Sequence, residues 1–233
     1  MNLAIIEKDI NSHNETGRLK SSKCMMKING EYLIERIIRI ARVNGITKVI
    51  CIIKSHEPEL KNYLLKNNFG IPTKLITPDP RNYMYYLFAL ASAQNKEPFF
   101  FANTNSTFLE NDFSEFVTYS LLQEDADGVI AVTKNINDEK PLCVAMNDED
   151  IILKFSNSKE GYSWVNGGIY YFTPKIFSEA KYAVEAGLSG IEKFLQLLIV
   201  RGNILKGFSF SKIVKIENTA DIVKAEDLIT GNK

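Results

Sequence analysis

The feature that most constrains this chain is a regular alternation of short apolar runs and helical periodicity through its first half. Val49–Ile53 is an uninterrupted apolar run, as expected for a strand covered on both faces of a parallel sheet. Glu31–Asn44 has the i, i+3, i+4, i+7 apolar spacing of an amphipathic helix, and Gly45 follows where helices often end. The pattern predicts the α/β class, with helices on both faces of a mostly parallel sheet.

The same reasoning assigns most of the chain. The predicted strands are Leu3–Ile6, Val49–Ile53, Lys74–Ile76, Phe99–Phe101, Gly128–Val132, Cys143–Met146, Ile151–Phe155, Gly168–Phe172, Ile204–Phe208 and Lys212–Ile216. The predicted helices are Glu31–Asn44, Glu57–Asn67, Tyr83–Gln94, Asp112–Leu122, Thr173–Ala186, Gly190–Arg201 and Asp221–Thr230. No Gly-, Ser- or Pro-rich linker separates the halves, so we expect one domain over residues 1–233.

Composition limits which binding partners and which cellular compartment we expect for this protein. The chain has 28 basic and 28 acidic side chains, and this balance argues against broad electrostatic capture of nucleic acid or anionic membranes. No apolar run approaches the roughly 18–20 residues that span a bilayer, and the first residues do not resemble a signal peptide. Cys24, Cys51 and Cys143 have no metal-ligand spacing. We therefore expect a cytoplasmic protein with reduced thiols and neither nucleic-acid nor membrane partners.

Three segments are placed to form a binding site. Sites in open α/β sheets lie beyond the carboxyl ends of the strands. The polar loop from Glu7 to Ser22, the segment Asn103–Asn105 and Glu217 each follow a predicted strand. We expect these segments to share one pocket.

The segment Ser22–Glu35 carries a specific resemblance. It resembles the pattern Pro-Lys-x-Leu-x-x-Ile-x-Gly-x-Pro-Leu-Ile of the sugar-nucleotide pyrophosphorylase and cytidylyltransferase superfamily. The matching residues are Lys23, Met25, Ile28, Gly30, Leu33 and Ile34. Further segments resemble the family in the same order along the chain, namely Asn44–Ile50, Phe99–Asn105, Val165–Phe172 and Ile216–Glu226.

The resemblance implies a Rossmann-like, three-layer α/β/α nucleotidyltransferase fold of GT-A-like type. It implies a nucleotide-binding half at residues 1–134 and an acceptor-binding half with mixed strands at 135–233. The family transfers a nucleotidyl group from a nucleoside triphosphate to a sugar phosphate or phospho-alcohol and releases pyrophosphate. Such chemistry needs a glycine-rich loop at the phosphates, an Arg and a Lys that neutralise charge, and two acidic residues that hold Mg²⁺.

The phosphate loop departs from the family pattern. Without a gap, Asp9 and Asn11 stand at the glycine positions and His13 stands at the arginine position, with Glu7 nearby. A gapped alignment instead places Gly17-Arg18 in the glycine and arginine roles. Each like charge about 4 Å from a phosphate costs roughly 4 kcal/mol before screening at an effective dielectric near 20. Glu7 and Asp9 therefore oppose triphosphate binding in the family's manner.

The metal positions depart as well. Asn105 matches one family aspartate and is neutral, whereas Glu217 matches the other and keeps its charge. Because Mg²⁺ prefers anionic oxygens, we expect its binding to be weak or lost. Lys23 is the predicted catalytic cation, with His13 beside it, although each has an alternative interpretation as a solvent-exposed loop residue.

The remaining candidates lie at the acceptor side. Asn166, Gly167 and Gly168 match the strand that lies against the acceptor sugar in the family, and a tight bend or bulge is the alternative. Asn103 follows the predicted strand Phe99–Phe101 in the same segment as Asn105 and is a further candidate for substrate binding. Asp125–Asp127 resembles the Asp-x-Asp metal motif of glycosyltransferases, but it precedes a strand, which favours a surface turn.

The sequence therefore supports two hypotheses. The first is a nucleotidyltransferase, weakly active or inactive, that uses Lys23, Glu217 and either His13 or Arg18, with Mg²⁺ when active. The second is a catalytically inactive binding or regulatory partner in surface-polysaccharide synthesis, without a cofactor, acting as a homo-oligomer or with an active relative. A glycosyltransferase ranks last, because Asn103–Asn105 stands where such an enzyme needs its metal-binding acids.

Overall fold

The computed structural model describes residues 1–6, 22–53, 57–77, 97–134, 140–188 and 190–231. Its strands are β1 (Asn2–Ile6), β2 (Lys27–Ile28), β3 (Glu31–Tyr32), β4 (Lys48–Ile52), β5 (Thr73–Ile76), β6 (Phe99–Asn103), β7 (Ser106–Phe108), β8 (Gly128–Thr133), β9 (Cys143–Met146), β10 (Ile152–Ser156), β11 (Trp164–Phe172), β12 (Leu205–Ser209) and β13 (Ile213–Lys215). Its helices are α1 (Leu33–Val43), α2 (Pro58–Lys66), α3 (Glu110–Leu122), α4 (Ile176–Glu185), α5 (Ile191–Val200) and α6 (Thr219–Thr230). The predicted helix Tyr83–Gln94 lies outside the described residues. No helix within these ranges is long and apolar enough to cross a bilayer.

The main sheet is mixed, with a parallel centre. β1 pairs in parallel with β4 and β6, and β5 extends this series beside β4. The long strand β11 then lies antiparallel between β6 and β8, while β12 runs parallel to β8. β9 and β10 extend the sheet from the first residues of β11. The α/β class predicted from the sequence is confirmed, although the sequence did not indicate that β11 separates β6 from β8.

Both faces of the sheet are covered because the strands are apolar on both sides. Leu3 and Ile5 of β1 belong to the core that includes Ile37 of α1. Ala4 and Ile6, which alternate with them, belong to the core on the opposite face together with residues of α4 and α5. The sheet therefore lies between two layers of helices.

Phenylalanine rings fix α3 to the sheet. Phe116 is fully buried and its ring centroid lies 5.9 Å from that of Phe100, 5.9 Å from that of Phe208 and 5.6 Å from that of Phe210. One side chain of α3 thus contacts both β6 and the end of β12, two strands that are far apart in sequence.

The second, smaller sheet was only partly predicted. The strand expected at Lys212–Ile216 is present as Ile213–Lys215, but it pairs antiparallel with β7 rather than joining the main sheet. β7 itself was missed, since its three residues carry too little pattern to be recognised. The strand expected at Gly168–Phe172 begins earlier, at Trp164. These differences matter because β7 and β13 flank the predicted site.

Removing the ring of Phe116 tests the aromatic anchor. We expect Phe116→Ala to lower the free energy of unfolding by about 3–5 kcal/mol, because it opens a cavity in a closely packed cluster. The control is Leu122→Ala on the same helix, where the side chain is 72% exposed. That variant should stay within about 0.5 kcal/mol of the parent protein. Denaturant unfolding measures both values, and similar losses for the two variants would contradict the assignment.

Candidate active site

The pairing of β7 with β13 brings two distant parts of the chain together. Ser106 faces Lys215 in this ladder, and beyond it the backbone N–H of Ile216 donates to the carbonyl oxygen of Asn105 at 2.8 Å. Asn105 follows β6 and Glu217 follows β13, so the ladder sets their side chains next to each other. The structure thus places Asn105 and Glu217 side by side, while their membership of a binding site stays a prediction.

Lys23, Asn105 and Glu217 form a connected polar triad. The ammonium Nζ of Lys23 donates to Glu217 Oε2 at 2.6 Å. The amide Nδ2 of Asn105 donates to Glu217 Oε1 at 2.8 Å. Each carboxylate oxygen of Glu217 thus accepts one hydrogen bond, one from a cation and one from a neutral amide.

The local fold buries Lys23. It opens a 3₁₀ turn in which the Ser22 hydroxyl accepts from the N–H of Cys24 at 3.3 Å, and Cys24 is fully buried in the core. The Lys23 side chain is only 9% exposed, whereas that of Glu217 is 46% exposed. Because a buried ammonium is costly without a compensating charge, Lys23 depends on Glu217 in this conformation.

Asp221 holds the backbone at Glu217. Its carboxylate accepts from the N–H of Glu217 at 3.0 Å and from the N–H of Asn218 at 3.2 Å. Burial alone would raise the pKa of Asp221, but hydrogen bonds from Lys224 and these two N–H groups lower it below its usual range. The sequence interpretation missed this positioning role. The signal was present as Asn218 and Asp221 three residues apart at the start of a helix, which is the spacing of a capping box.

The turn at Asn166–Gly168 is explained by packing within the protein. Asn166 Oδ1 accepts from the N–H of Gly168 at 3.0 Å, and Asn166 Nδ2 donates to the Tyr170 hydroxyl at 2.8 Å. Gly168 has a φ of +79°, and a Cβ on Gly167 would lie 2.3 Å from the Cδ1 of Ile213. The bend anticipated as the alternative is therefore present, while substrate contact by these residues stays a prediction.

Asn103 is the last residue of β6 and lies against the bend at Asn166–Gly168. It is 8% exposed, and a Cβ on Gly168 would lie 2.7 Å from its Nδ2, so the bend brings the backbone of β11 against the Asn103 amide. Thr104, which follows it, donates its N–H to the carbonyl oxygen of Ile6 at 3.2 Å. Asn103 therefore lies where β1 and β6 both end.

The described residues do not fit the two-carboxylate magnesium site that the family resemblance implies. No group of three or more His, Cys, Asp and Glu side chains in the described part of the chain is placed to hold a metal ion. Asn105 turns its donor, not its oxygen, toward Glu217. A divalent cation at Glu217 would also meet the Lys23 ammonium, which like-charge repulsion opposes.

The segment Asp125–Asp127, which resembles an Asp-x-Asp metal motif, is not part of the triad. Asp125 pairs with Lys206 at 2.9 Å, and Asp127 pairs with Lys175 at 3.0 Å. Both acids precede β8, at the amino end of that strand, as expected for a surface turn. The phosphate-loop candidates Glu7, Asp9, Asn11, His13 and Gly17-Arg18 lie outside the described residues.

Solved structures share this fold over nearly the whole chain. The inositol-1-phosphate CTP transferase from T. maritima has a TM-score of 0.81 at 18% identity, covering 99% of this chain and 96% of that protein. HddC from Yersinia pseudotuberculosis, also solved in complex with GMP-PN, has a TM-score of 0.77 at 16% identity, covering 97% and 98% of the two chains. At these identities the likeness establishes the fold alone.

Sequence comparison supplies the family. No curated protein matches the chain, but the family model described as Nucleotidyl transferase matches residues 18–222. That span includes Lys23, Asn105 and Glu217, together with the β11 strand. This chain belongs to the nucleotidyl transferase family.

Proposed function

We propose that this chain is a nucleotidyltransferase with an altered site, whose transfer activity is weak or lost. Its reaction, where it occurs, moves a nucleotidyl group from a nucleoside triphosphate to a sugar phosphate or phospho-alcohol with release of pyrophosphate. The single observation that carries the proposal is the Lys23–Glu217–Asn105 triad. The three residues match charged positions of the family pattern, but here they are hydrogen-bonded to one another.

The charge of the triad weakens triphosphate binding. Lys23 and Glu217 cancel, and Asn105 contributes no charge, so these residues present no net charge to a polyanion. A site with two carboxylates, one divalent cation and one lysine would present a net positive charge instead. The ammonium of Lys23 has three N–H donors and Glu217 accepts from one of them. The other two donors have no acceptor among the described residues, so we propose that they serve a phosphate oxygen in a weakened positive potential.

The extent of the family match is consistent with an altered phosphate loop. The match begins at residue 18 and leaves out residues 7–17. That stretch includes Glu7, Asp9, Asn11 and His13, which we propose as the degenerate counterpart of the phosphate loop. Acidic residues there would oppose a triphosphate further.

The neutral triad also favours a second candidate function. A protein that keeps the fold but holds its site in a closed ion pair can act as a binding or regulatory partner in surface-polysaccharide synthesis, through a homo-oligomer or an active relative. The two candidates differ in turnover. The first requires pyrophosphate release, and the second requires none with any nucleotide.

A thermal-shift screen of the four nucleoside triphosphates, with and without Mg²⁺, tests the altered site. A Mg²⁺–nucleotide complex at about 100 times its Kd would add ~2.7 kcal/mol of stability. At this chain length that corresponds to a rise in Tm of roughly 5–10 °C. We expect no Mg²⁺-dependent rise of this size, because the described residues offer one neutralised carboxylate.

Pyrophosphate release completes that test. Pyrophosphate release is measured with the same nucleotides and a panel of acceptors. The panel includes inositol 1-phosphate, which the name of the T. maritima protein contains, and glucose 1-phosphate. Slow, Mg²⁺-dependent release would support the weak enzyme, and none would support the binding partner. A large Mg²⁺-dependent shift with rapid release would refute the altered site altogether.

Replacing the neutral amide separates metal binding from catalysis. Asn105→Asp places a second carboxylate against Glu217 Oε1, where the amide now donates at 2.8 Å. We expect the variant to have a lower Tm without metal, because two carboxylates repel, and to regain Tm with Mg²⁺. We expect the substitution to create no pyrophosphate release beyond that of the parent protein, since the loop remains altered.

The matched control for that variant is Asn105→Ala. It loses the same hydrogen bond without gaining a charge, so its Tm should fall but should not respond to Mg²⁺. Robust pyrophosphate release by Asn105→Asp alone would show that the loop is competent. Equal Mg²⁺ responses in the two variants would show that Glu217 and residue 105 do not form the metal position.

A further inference from the structure

A buried cation lies on α1, outside the Lys23–Glu217–Asn105 triad. Arg36 is only 4% exposed, and its burial lowers the pKa of the guanidinium below the ordinary value. A buried charge is costly unless it is paired or well hydrogen-bonded. The guanidinium of Arg36 therefore needs a compensating contact, and that contact indicates the role of the residue.

The nearby carboxylates are bound by a different arginine. Arg39, on the next turn of α1, donates to Glu31 from Nε at 2.8 Å and from Nη2 at 2.9 Å. It also donates to Glu110 from Nη1 at 3.1 Å and from Nη2 at 2.9 Å. Within the described ranges Arg36 forms no ion pair with either acid. Neutralising a carboxylate therefore does not explain Arg36.

The guanidinium of Arg36 instead binds the backbone of β7. Its Nη2 donates to the carbonyl oxygen of Phe108 at 2.8 Å, and its central carbon lies 5.6 Å from the centre of the Phe108 ring. Phe108 ends β7 and faces Ile213 in the ladder. Because bonded and non-bonded pairs alternate in an antiparallel ladder, the bond between Ile216 and Asn105 makes Phe108 a non-bonded position. Its carbonyl faces away from β13, and the guanidinium takes the place of a third strand.

A ladder as short as this one depends on such contacts. β7 and β13 pair over three residues each, and an isolated two-stranded sheet is marginally stable at best. At the other end of β7, the Ser106 hydroxyl donates to the carbonyl oxygen of Gly167 at 2.8 Å. Leu33, in the first turn of α1, packs in one cluster with Val214 of β13. Helix α1 thus holds both strands, β7 through Arg36 and β13 through Leu33.

We propose that Arg36 is a positioning residue of the candidate site. By fixing β7, its guanidinium holds Asn105 where the amide reaches Glu217, and the same pairing keeps the carboxylate in place for Lys23. Arg36 itself forms no hydrogen bond with these three described side chains, so its effect passes through the ladder. The inference rests on the proposed function for the importance of the triad, but not for its geometry.

Hydrogen exchange at single amides tests the proposal without a ligand. Arg36→Met keeps a long side chain and removes every donor, and replacing a buried charge by an apolar group of similar volume is often neutral or stabilising. The reporter is the Ile216 N–H, which donates to the carbonyl oxygen of Asn105 at 2.8 Å. We expect it to exchange roughly 10-fold faster in the variant, the effect of losing one hydrogen bond from a charged donor. The amide of Ile5, in the central strand β1, should keep its protection.

The matched control is Arg39→Met on the same helix, which removes two ion pairs at a partly exposed position. Exposed pairs contribute little to stability, so the control should leave exchange at Ile216 unchanged. Equal acceleration at Ile216 and Ile5 in Arg36→Met would make Arg36 a general stabiliser and would overturn the proposal. Unchanged exchange at Ile216, or the same acceleration in the control, would overturn it as well.

A second measurement follows the triad itself. The Lys23 side chain is 9% exposed and bound to Glu217, so an amine-acylating reagent should modify it slowly in the parent protein. We expect Arg36→Met to raise the acylation rate of Lys23 several-fold and to leave that of the exposed Lys61 unchanged. Peptide mass spectrometry gives both rates. An unchanged rate at Lys23 would show that Arg36 does not position the triad.

A milder variant covers the case in which Arg36→Met does not fold. Arg36→Lys keeps the buried charge but lacks the planar fork of donors, so both readouts should move in the same direction by a smaller factor. Parent-like values for both readouts in that variant would then overturn the proposal. Neither measurement uses a nucleotide or a metal, so an absence of pyrophosphate release leaves this inference standing, and its own failure leaves the proposed function standing.

Discussion

The short ladder between β7 and β13 is the contact on which the candidate site depends. Its register sets Ser106 opposite Lys215, and the next hydrogen bond joins Ile216 to Asn105. Without that ladder the amide after β6 and the carboxylate after β13 would have no reason to meet, since 112 residues separate them along the chain. Asp221 then fixes the backbone of Glu217 from the other side, through two N–H groups at the start of α6. The site is thus built from strand pairing and a helix cap.

The neutrality of Asn105 decides how the charges beside it are satisfied. A carboxylate at position 105 would repel Glu217 and leave both acids in need of a cation. The neutral amide instead donates to Glu217, and the buried ammonium of Lys23 satisfies its other oxygen. The triad is self-compensating, so it has little demand for a metal. The neutral amide at position 105 therefore influences both Glu217 and, through it, Lys23.

Much of this was accessible from the sequence, and the failures have physical causes. Long periodic segments such as Leu33–Val43 and buried runs such as Lys48–Ile52 have patterns that local rules recognise, and the segment after β1 identified Lys23. The three-residue strand Ser106–Phe108 has no period long enough to detect. The insertion of β11 between β6 and β8 depends on non-local pairing, which leaves no local mark. Asp221 was overlooked because its effect passes through backbone N–H groups, although the capping spacing was visible.

Asn103 and Asn105 are two residues apart and differ in how well their amides are hydrogen-bonded. Asn105 carries no charge, and its amide donates to Glu217 Oε1. Asn103 keeps a polar group where packing alone favours an apolar one, and its oxygen is left unsatisfied. The described residues therefore satisfy the amide at position 105 and leave the oxygen of the amide at position 103 without a donor, so the two positions contribute differently to stability.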